Sequence, residues 1–229
     1  MKLPSLRILL LATLGTGSAM AATPVPSWFG INSTHQAYLF GTGSNTPAAD
    51  TLSNPYGTPV ATVTLGTFAD GWQNPAEEFD NPGLNGDGAW DLGINGNISI
   101  NMLAAATAPA PGTFYRVQFE IHTVAYEGIT PLPVFSALGL TPQDLQQTVT
   151  TEGPDPLVSG AFWRRVKWTG YFDNLTTNAL TFLLTPPATK TSQIDSFEVF
   201  TQYQVVPEPS AAILLVAPAL GWCVRRRRA

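Results

Sequence analysis

The densest set of side chains able to do chemistry lies in one stretch, Glu77 to Asp91 (EEFDNPGLNGDGAWD). There Glu77, Glu78, Asp80, Asn81, Asn85, Asp87 and Asp91 gather the hard oxygen donors that Ca2+ takes. The spacing is not that of an EF-hand loop. With Asp80 as the first ligand Asp91 falls at the twelfth place, but Pro82 and Leu84 occupy the third and fifth, and Asn85 stands where glycine is required. Asn, Asp and Gly also build turns, because they accept left-handed backbone and bond their own main chain. Turn formation is therefore the first expectation for this stretch. A Ca2+ site made by Glu77, Glu78, Asp80, Asp87 and Asp91 is the second, and no other cofactor is expected.

Catalysis needs a base-activated nucleophile, paired acids or metal ligands at workable spacing. The chain has two histidines, His35 and His122, and neither belongs to an HExxH or GxSxG pattern. The expectation is a protein without enzymatic activity and without catalytic residues. A glycoside hydrolase using carboxylates of Glu77, Glu78 and Asp80 is a third reading, which only their separation in space would support. Sugar rings stack on exposed indoles, and five tryptophans, Trp28, Trp72, Trp90, Trp163 and Trp168, precede the chain's C-terminal segment. Trp163 and Trp168 stand five apart in one predicted strand and so point to opposite faces, which makes one of them the candidate for a ligand face.

The elements that must position these residues read as strands. Phe114 to Ala125 (FYRVQFEIHTVA) sets Tyr115, Val117, Phe119 and Ile121 on one face and Arg116, Gln118, Glu120 and His122 on the other, a core side and a wet side. Thr58 to Phe68 alternates with β-branched residues, and Trp90 to Met102, Phe162 to Phe172 and Ala179 to Thr185 add further strands. Ile194 to Val205 alternates imperfectly, as a bulge would cause. Thr23 to Gly57 reads as short strands in long loops. Thr141 followed by Pro142 has the form of a helix cap, so Pro142 to Thr148 is the one short helix expected. The fold class is all-β, a single antiparallel β-sandwich of jelly-roll or immunoglobulin-like kind. The succession of aromatic-rich strands from Phe162 onward resembles the second half of carbohydrate-binding-module β-sandwiches, which tips the expectation toward the jelly roll and raises exopolysaccharide as a ligand.

The two ends carry address signals. Lys2 and Arg7, the apolar Ile8 to Leu14, and Ala19-Met20-Ala21 have the order of a secretory signal peptide, with Ala19 and Ala21 as the small residues of its cleavage site. At the other end come Pro207-Glu208-Pro209, an apolar segment from Ala211 to Val224, and the cluster Arg225, Arg226, Arg227 and Arg228. Fourteen residues at about 1.5 Å each cover roughly 21 Å against a hydrocarbon core of roughly 30 Å, so flanking valines and snorkelling arginines must complete the span. The arginines orient the C-terminus toward the cytoplasm. This tripartite tail resembles the PEP-CTERM sorting signal of exported bacterial proteins. The resemblance implies an exosortase-type processing enzyme as partner, attachment to the membrane through the tail, and a destination in the cell envelope or extracellular matrix.

The expected organisation is a signal peptide at 1–21, a body at 22–206 and a sorting tail at 207–229, with the sorting motif at 207–209, the membrane segment at 211–224 and the arginines at 225–228. The body holds five bases, Arg116, Arg164, Arg165, Lys167 and Lys190, against fifteen acids, a net charge of minus ten. Such an acidic surface excludes nucleic acid as a partner, since phosphates require a basic face. Cys223, the single cysteine, lies in the tail, so the body has no internal disulfide. The leading expectation is a non-enzymatic envelope or matrix protein with a structural or interaction role, and the alternative is a carbohydrate-binding module.

Overall fold

A computed structural model of the chain describes residues 23–76, 83–84, 87–127, 132–155 and 158–208. Runs of alternating apolar and polar residues, rich in Val, Ile, Thr and aromatics, form twelve strands in these residues, and none of them is helical. They are β1 (Ser33–Tyr38), β2 (Thr51–Ser53), β3 (Val60–Thr64), β4 (Gly71–Gln73), β5 (Ala89–Asp91), β6 (Asn97–Leu103), β7 (Thr113–Glu127), β8 (Val134–Ala137), β9 (Gln143–Pro154), β10 (Phe162–Leu175), β11 (Ala179–Thr185) and β12 (Gln193–Pro207). All pairings are antiparallel. The larger sheet runs β2-β1-β12-β7-β10-β9, with β4 and β5 joined to the start of β12, and the smaller runs β3-β6-β11-β8.

The two sheets bury their facing sides against each other as a β-sandwich. Val117, Phe119, Ile121, Val166 and Phe172 come from the larger sheet, and Ile98, Ile100, Phe135, Phe182 and Leu184 from the smaller, in one continuous apolar cluster. Phe119 is its hub, with ring centroids 4.9 Å from Phe172 and 5.3 Å from Phe135. Each such side chain removed from water contributes about 1.5–3 kcal/mol, so the aromatic alternation of β7 and β10 both selects the strand register and holds the layers together.

Three local expectations are tested by the strands. Pro142 to Thr148 is not a helix: β9 covers it from Gln143 onward. The β-branched Thr148, Val149, Thr150 and Thr151 favour extended backbone, and β10 supplies a ladder from Phe162 to Tyr171 that outweighs a local cap. The irregular alternation after Ile194 is a bulge, since the pairing with β7 shifts between Ile194 and Ser196. β12 also runs through Pro207, opposite Thr113, so the expected boundary at Val206 falls inside a strand.

Candidate binding face

The larger sheet has one face in the core and one facing away from the smaller sheet. On the outward face β1, β12, β7 and β10 place His35, Glu198, Glu120, His122 and Arg165 side by side, because the register sets His35 across from Phe200, Glu198 from His122, and His122 from Lys167. His35 Nε2 pairs with Glu198 Oε1 at 2.7 Å, and His122 Nε2 with Glu120 Oε1 at 2.7 Å. Arg165 donates through Nε to Glu152 and through Nη1 to the Thr23 hydroxyl, both at 2.7 Å. The His35 ring stacks on Phe200 at 4.1 Å, and Phe29 meets both rings edge-on.

These contacts show that the N-terminal stretch from Thr23 to Gly30 lies across the outward face. The expectation of a wet His122 is thereby corrected: it is 4% exposed. Burial, only partly opposed by Glu120, lowers its pKa from the ordinary histidine value. Burial also works to raise Glu198, but the hydrogen bonds from His35 and Thr23, with the charge of both histidines, bring its carboxyl below the usual carboxylate range. Each carboxylate of this row thus has a histidine partner, and Arg165 reaches Glu152 on β9.

At the β12 bulge the extra residue is Asp195, turned toward Gly83 and Leu84. Leu84 donates its backbone N–H to Asp195 Oδ1 at 2.8 Å. Gly83 is required here, since its φ is +77° and a Cβ on it would lie 2.5 Å from Asp195 Oδ1. Asp195 is 1% exposed, and burial together with the charge of Asp87 pushes its pKa up to about 7. The sequence signal for this residue was the broken alternation alone. It marked a bulge without saying what the bulge aims at.

Further along the same face, beyond the N-terminal stretch, lies an open groove of about 370 Å³ lined by Arg116, Gln118, Asp144, Thr169, Tyr171 and Gln204. Its floor is the paired backbone of β7, β10 and β12, with Gln118 across from Tyr171 and Arg116 across from Gln204. Gly170 lets β9 close the side: a Cβ there would stand 2.9 Å from the Gln143 carbonyl oxygen. Arg116 is held in a two-pronged pair with Asp173, at 3.0 and 2.5 Å, and lies over the Tyr171 ring at 4.7 Å. The Arg116 hydrogen bonds hold the Asp173 carboxyl below its usual range. What the groove offers a ligand is planar amides, hydroxyls, the Asp144 carboxylate and an aromatic edge, an array of donors and acceptors.

The residues singled out by sequence are scattered. Trp163 and Trp168 do point to opposite faces, but both are buried, at 0% and 3% exposure, which corrects the expectation that one of them is an exposed ligand platform. Trp168 sits in the inter-sheet core beside Phe135, and Trp163 on the outward face in a second cluster with Tyr126, Ala89 and Ala161, roofed by Leu84. Asp91 is a buried turn acceptor, its Oδ1 taking the Gly93 N–H at 2.9 Å, and Asp87 is half-buried; burial raises the pKa of both. Among the described residues no three His, Cys, Asp or Glu side chains converge to hold a metal ion. Glu77, Glu78, Asp80, the cleavage residues Ala19 and Ala21, Pro209 and the arginines 225–228 lie outside the described residues. The groove residues Arg116 and Gln118 were legible as a polar face, whereas Tyr171 and Gln204 join them only through the strand register. Compared with family models, with curated proteins and with solved structures, the chain matches none.

Proposed function

We propose that the chain is an exported, non-enzymatic protein of the bacterial envelope or extracellular matrix whose body acts by binding, with exopolysaccharide as its ligand. Export rests on the two terminal signals, the second being the PEP-CTERM-type tail read by an exosortase-type enzyme. The body is read as a jelly roll, which the repeated crossing of the chain between sheets at β2–β3–β4, β5–β6–β7, β7–β8–β9 and β10–β11–β12 supports.

The observation that carries the binding role is the groove of Arg116, Gln118, Asp144, Tyr171 and Gln204. Pyranose rings present hydroxyls that both donate and accept, and amides and carboxylates on a rigid sheet meet them without reordering. In the neighbouring row His35, His122 and Arg165 are each paired with a glutamate. This favours recognition over chemistry at that face. The test is retention of the purified protein on immobilised exopolysaccharide from a host carrying an exosortase, with Tyr171→Ala and Gln118→Ala as variants. Loss of one ring contact and one amide should weaken binding about tenfold each, taking roughly 1–1.5 kcal/mol per lost hydrogen bond or ring contact. Equal retention of parent and both variants would remove the groove from the reading.

A further inference from the structure

The last strand of the larger sheet is β9, and among the described residues no strand lies beyond it. Its residues from Gln143 to Thr151 are all exposed. Phe135 of β8 packs on Trp168 of β10, so the smaller sheet ends beneath β10 and β9 overhangs it. The inward side of the overhang carries Leu145 and Val149 with Gln147 between them. Leu145 and Val149 are 43% and 44% exposed, and a cleft of about 430 Å³ opens between Leu145 and Gln147 on one side and Leu132, Val134, Phe135 and Trp168 on the other.

Exposed edges are usually guarded by lysine, proline, a bulge or an inward charge. Here the register of β9 on β10 shifts between Gln143 and Gln146 and again between Thr151 and Gly153, and the run Leu145 to Thr151 (LQQTVTT) carries no charge and no proline. In a chain with a net charge of −5 this neutral run is where an acidic molecule can meet another copy of itself without confronting carboxylates. Glu152, at its end, is already matched by Arg165 at 2.7 Å.

We propose that β9 pairs with β9 of a second copy of this chain, antiparallel about a two-fold axis at Thr148, joining two larger sheets into one. The axis follows from the uncharged run, because a pairing centred on Thr148 spans Leu145 to Thr151 and stops before Asp144 reaches Glu152. Thr148 then meets Thr148, Gln146 meets Thr150 on the outward face, and Val149 meets Gln147 on the inward face, with the two Val149 side chains diagonal neighbours. The same edge serves both partners, which is what an isologous contact requires. Seven paired residues span about 24 Å, so the contact is small and falls in the weak class of interfaces. The dimer is accordingly concentration-dependent in the micromolar range.

The test is the protein mass of the full chain in detergent micelles, measured by light scattering over about 10–500 µM, a range bracketing micromolar affinity. The expected result is a rise from the 24.5 kDa single-chain mass toward twice that value. Val149→Lys should hold the chain at single-chain mass while leaving its β-type circular dichroism unchanged. Thr148→Cys in a Cys223→Ala background should give a disulfide-linked dimer under mild oxidation, and Leu138→Cys in the same background should not. A chain that stays at single-chain mass throughout, or a dimer that Val149→Lys leaves intact, overturns the proposal, and a Thr148→Cys variant that does not link overturns its two-fold register.

Discussion

Asp195 is an acid placed by a backbone irregularity where water does not reach it, and the consequence is a pH dependence of known sign. Its folded pKa of about 7 lies above the ordinary 3.8, so the folded state binds the proton more tightly than the unfolded chain. The stabilisation is complete below pH 3.8 and is lost as the pH rises through about 7. Between those values the parent should lose stability with rising pH, by no more than about 4 kcal/mol in total, since each tenfold difference in proton affinity is worth about 1.4 kcal/mol. Asp195→Asn keeps an oxygen for the Leu84 N–H and removes the proton. Urea unfolding between pH 4 and 8 should therefore show a flatter profile for the variant, and a variant at least as stable as the parent at pH 8. An unchanged slope would mean that Asp195 ionises normally. His122 works in the opposite direction, since a lowered histidine pKa gives stability that is present above the ordinary value and lost on acidification. Where the two titrations overlap, below the ordinary histidine value of 6.5, their slopes oppose one another.

At the scale of the element, what could be read from sequence was periodicity, and what could not was what covers each face. The alternation of β7 located Tyr115, Val117, Phe119 and Ile121 in the core, as found. The same alternation made His122 wet, because Thr23 to Gly30 (TPVPSWFG) has no period and nothing in it announces that it crosses the sheet. Trp163 was mislaid for the same reason, its side of the strand being legible and its roof not. In β9 a local cap signal at Thr141 and Pro142 competed with a ladder to β10 formed by residues some twenty positions away, and the ladder decided. The groove draws on β7, β9, β10 and β12, so it exists only once the register is known. A measurable outcome belongs to the covering stretch. Deleting residues 23–30 should return the His122 titration midpoint, followed by NMR, toward the ordinary 6.5, because burial is the main cause of its lowering. A midpoint that does not move would place the burial in the sheet itself.

For the whole molecule the tail and the body are less separate than their composition suggests. Pro207 is the last residue of β12, and the Glu208 N–H donates to the Gly112 carbonyl at 3.0 Å. If the tail is the sorting signal proposed above, its processing enzyme meets the motif at the rim of the sandwich with no spacer between. Proline at 207 and 209 disfavours helix in the preceding residues and keeps that entry extended. Glu208→Ala should then block processing without preventing insertion, so that the protein accumulates at full mature length in the membrane fraction of a host carrying an exosortase. Replacing Arg225 to Arg228 with Ser should instead weaken retention. Release of the Glu208 variant at the normal rate would make the tail a simple anchor.

The position of β12 also fixes when the molecule can close. It is the last strand in sequence, yet it lies between β1 and β7, and the buried contact of Thr34 with Thr201 spans 167 residues. At a synthesis rate of about 5–20 residues per second, β1 waits roughly 10–30 s for its partner. During that interval β1 and β7 have no strand between them, and the larger sheet is incomplete. If the chain is exported as proposed above, this strand order leaves the larger sheet unlatched during the passage, and β12 closes it only after the rest has gone through.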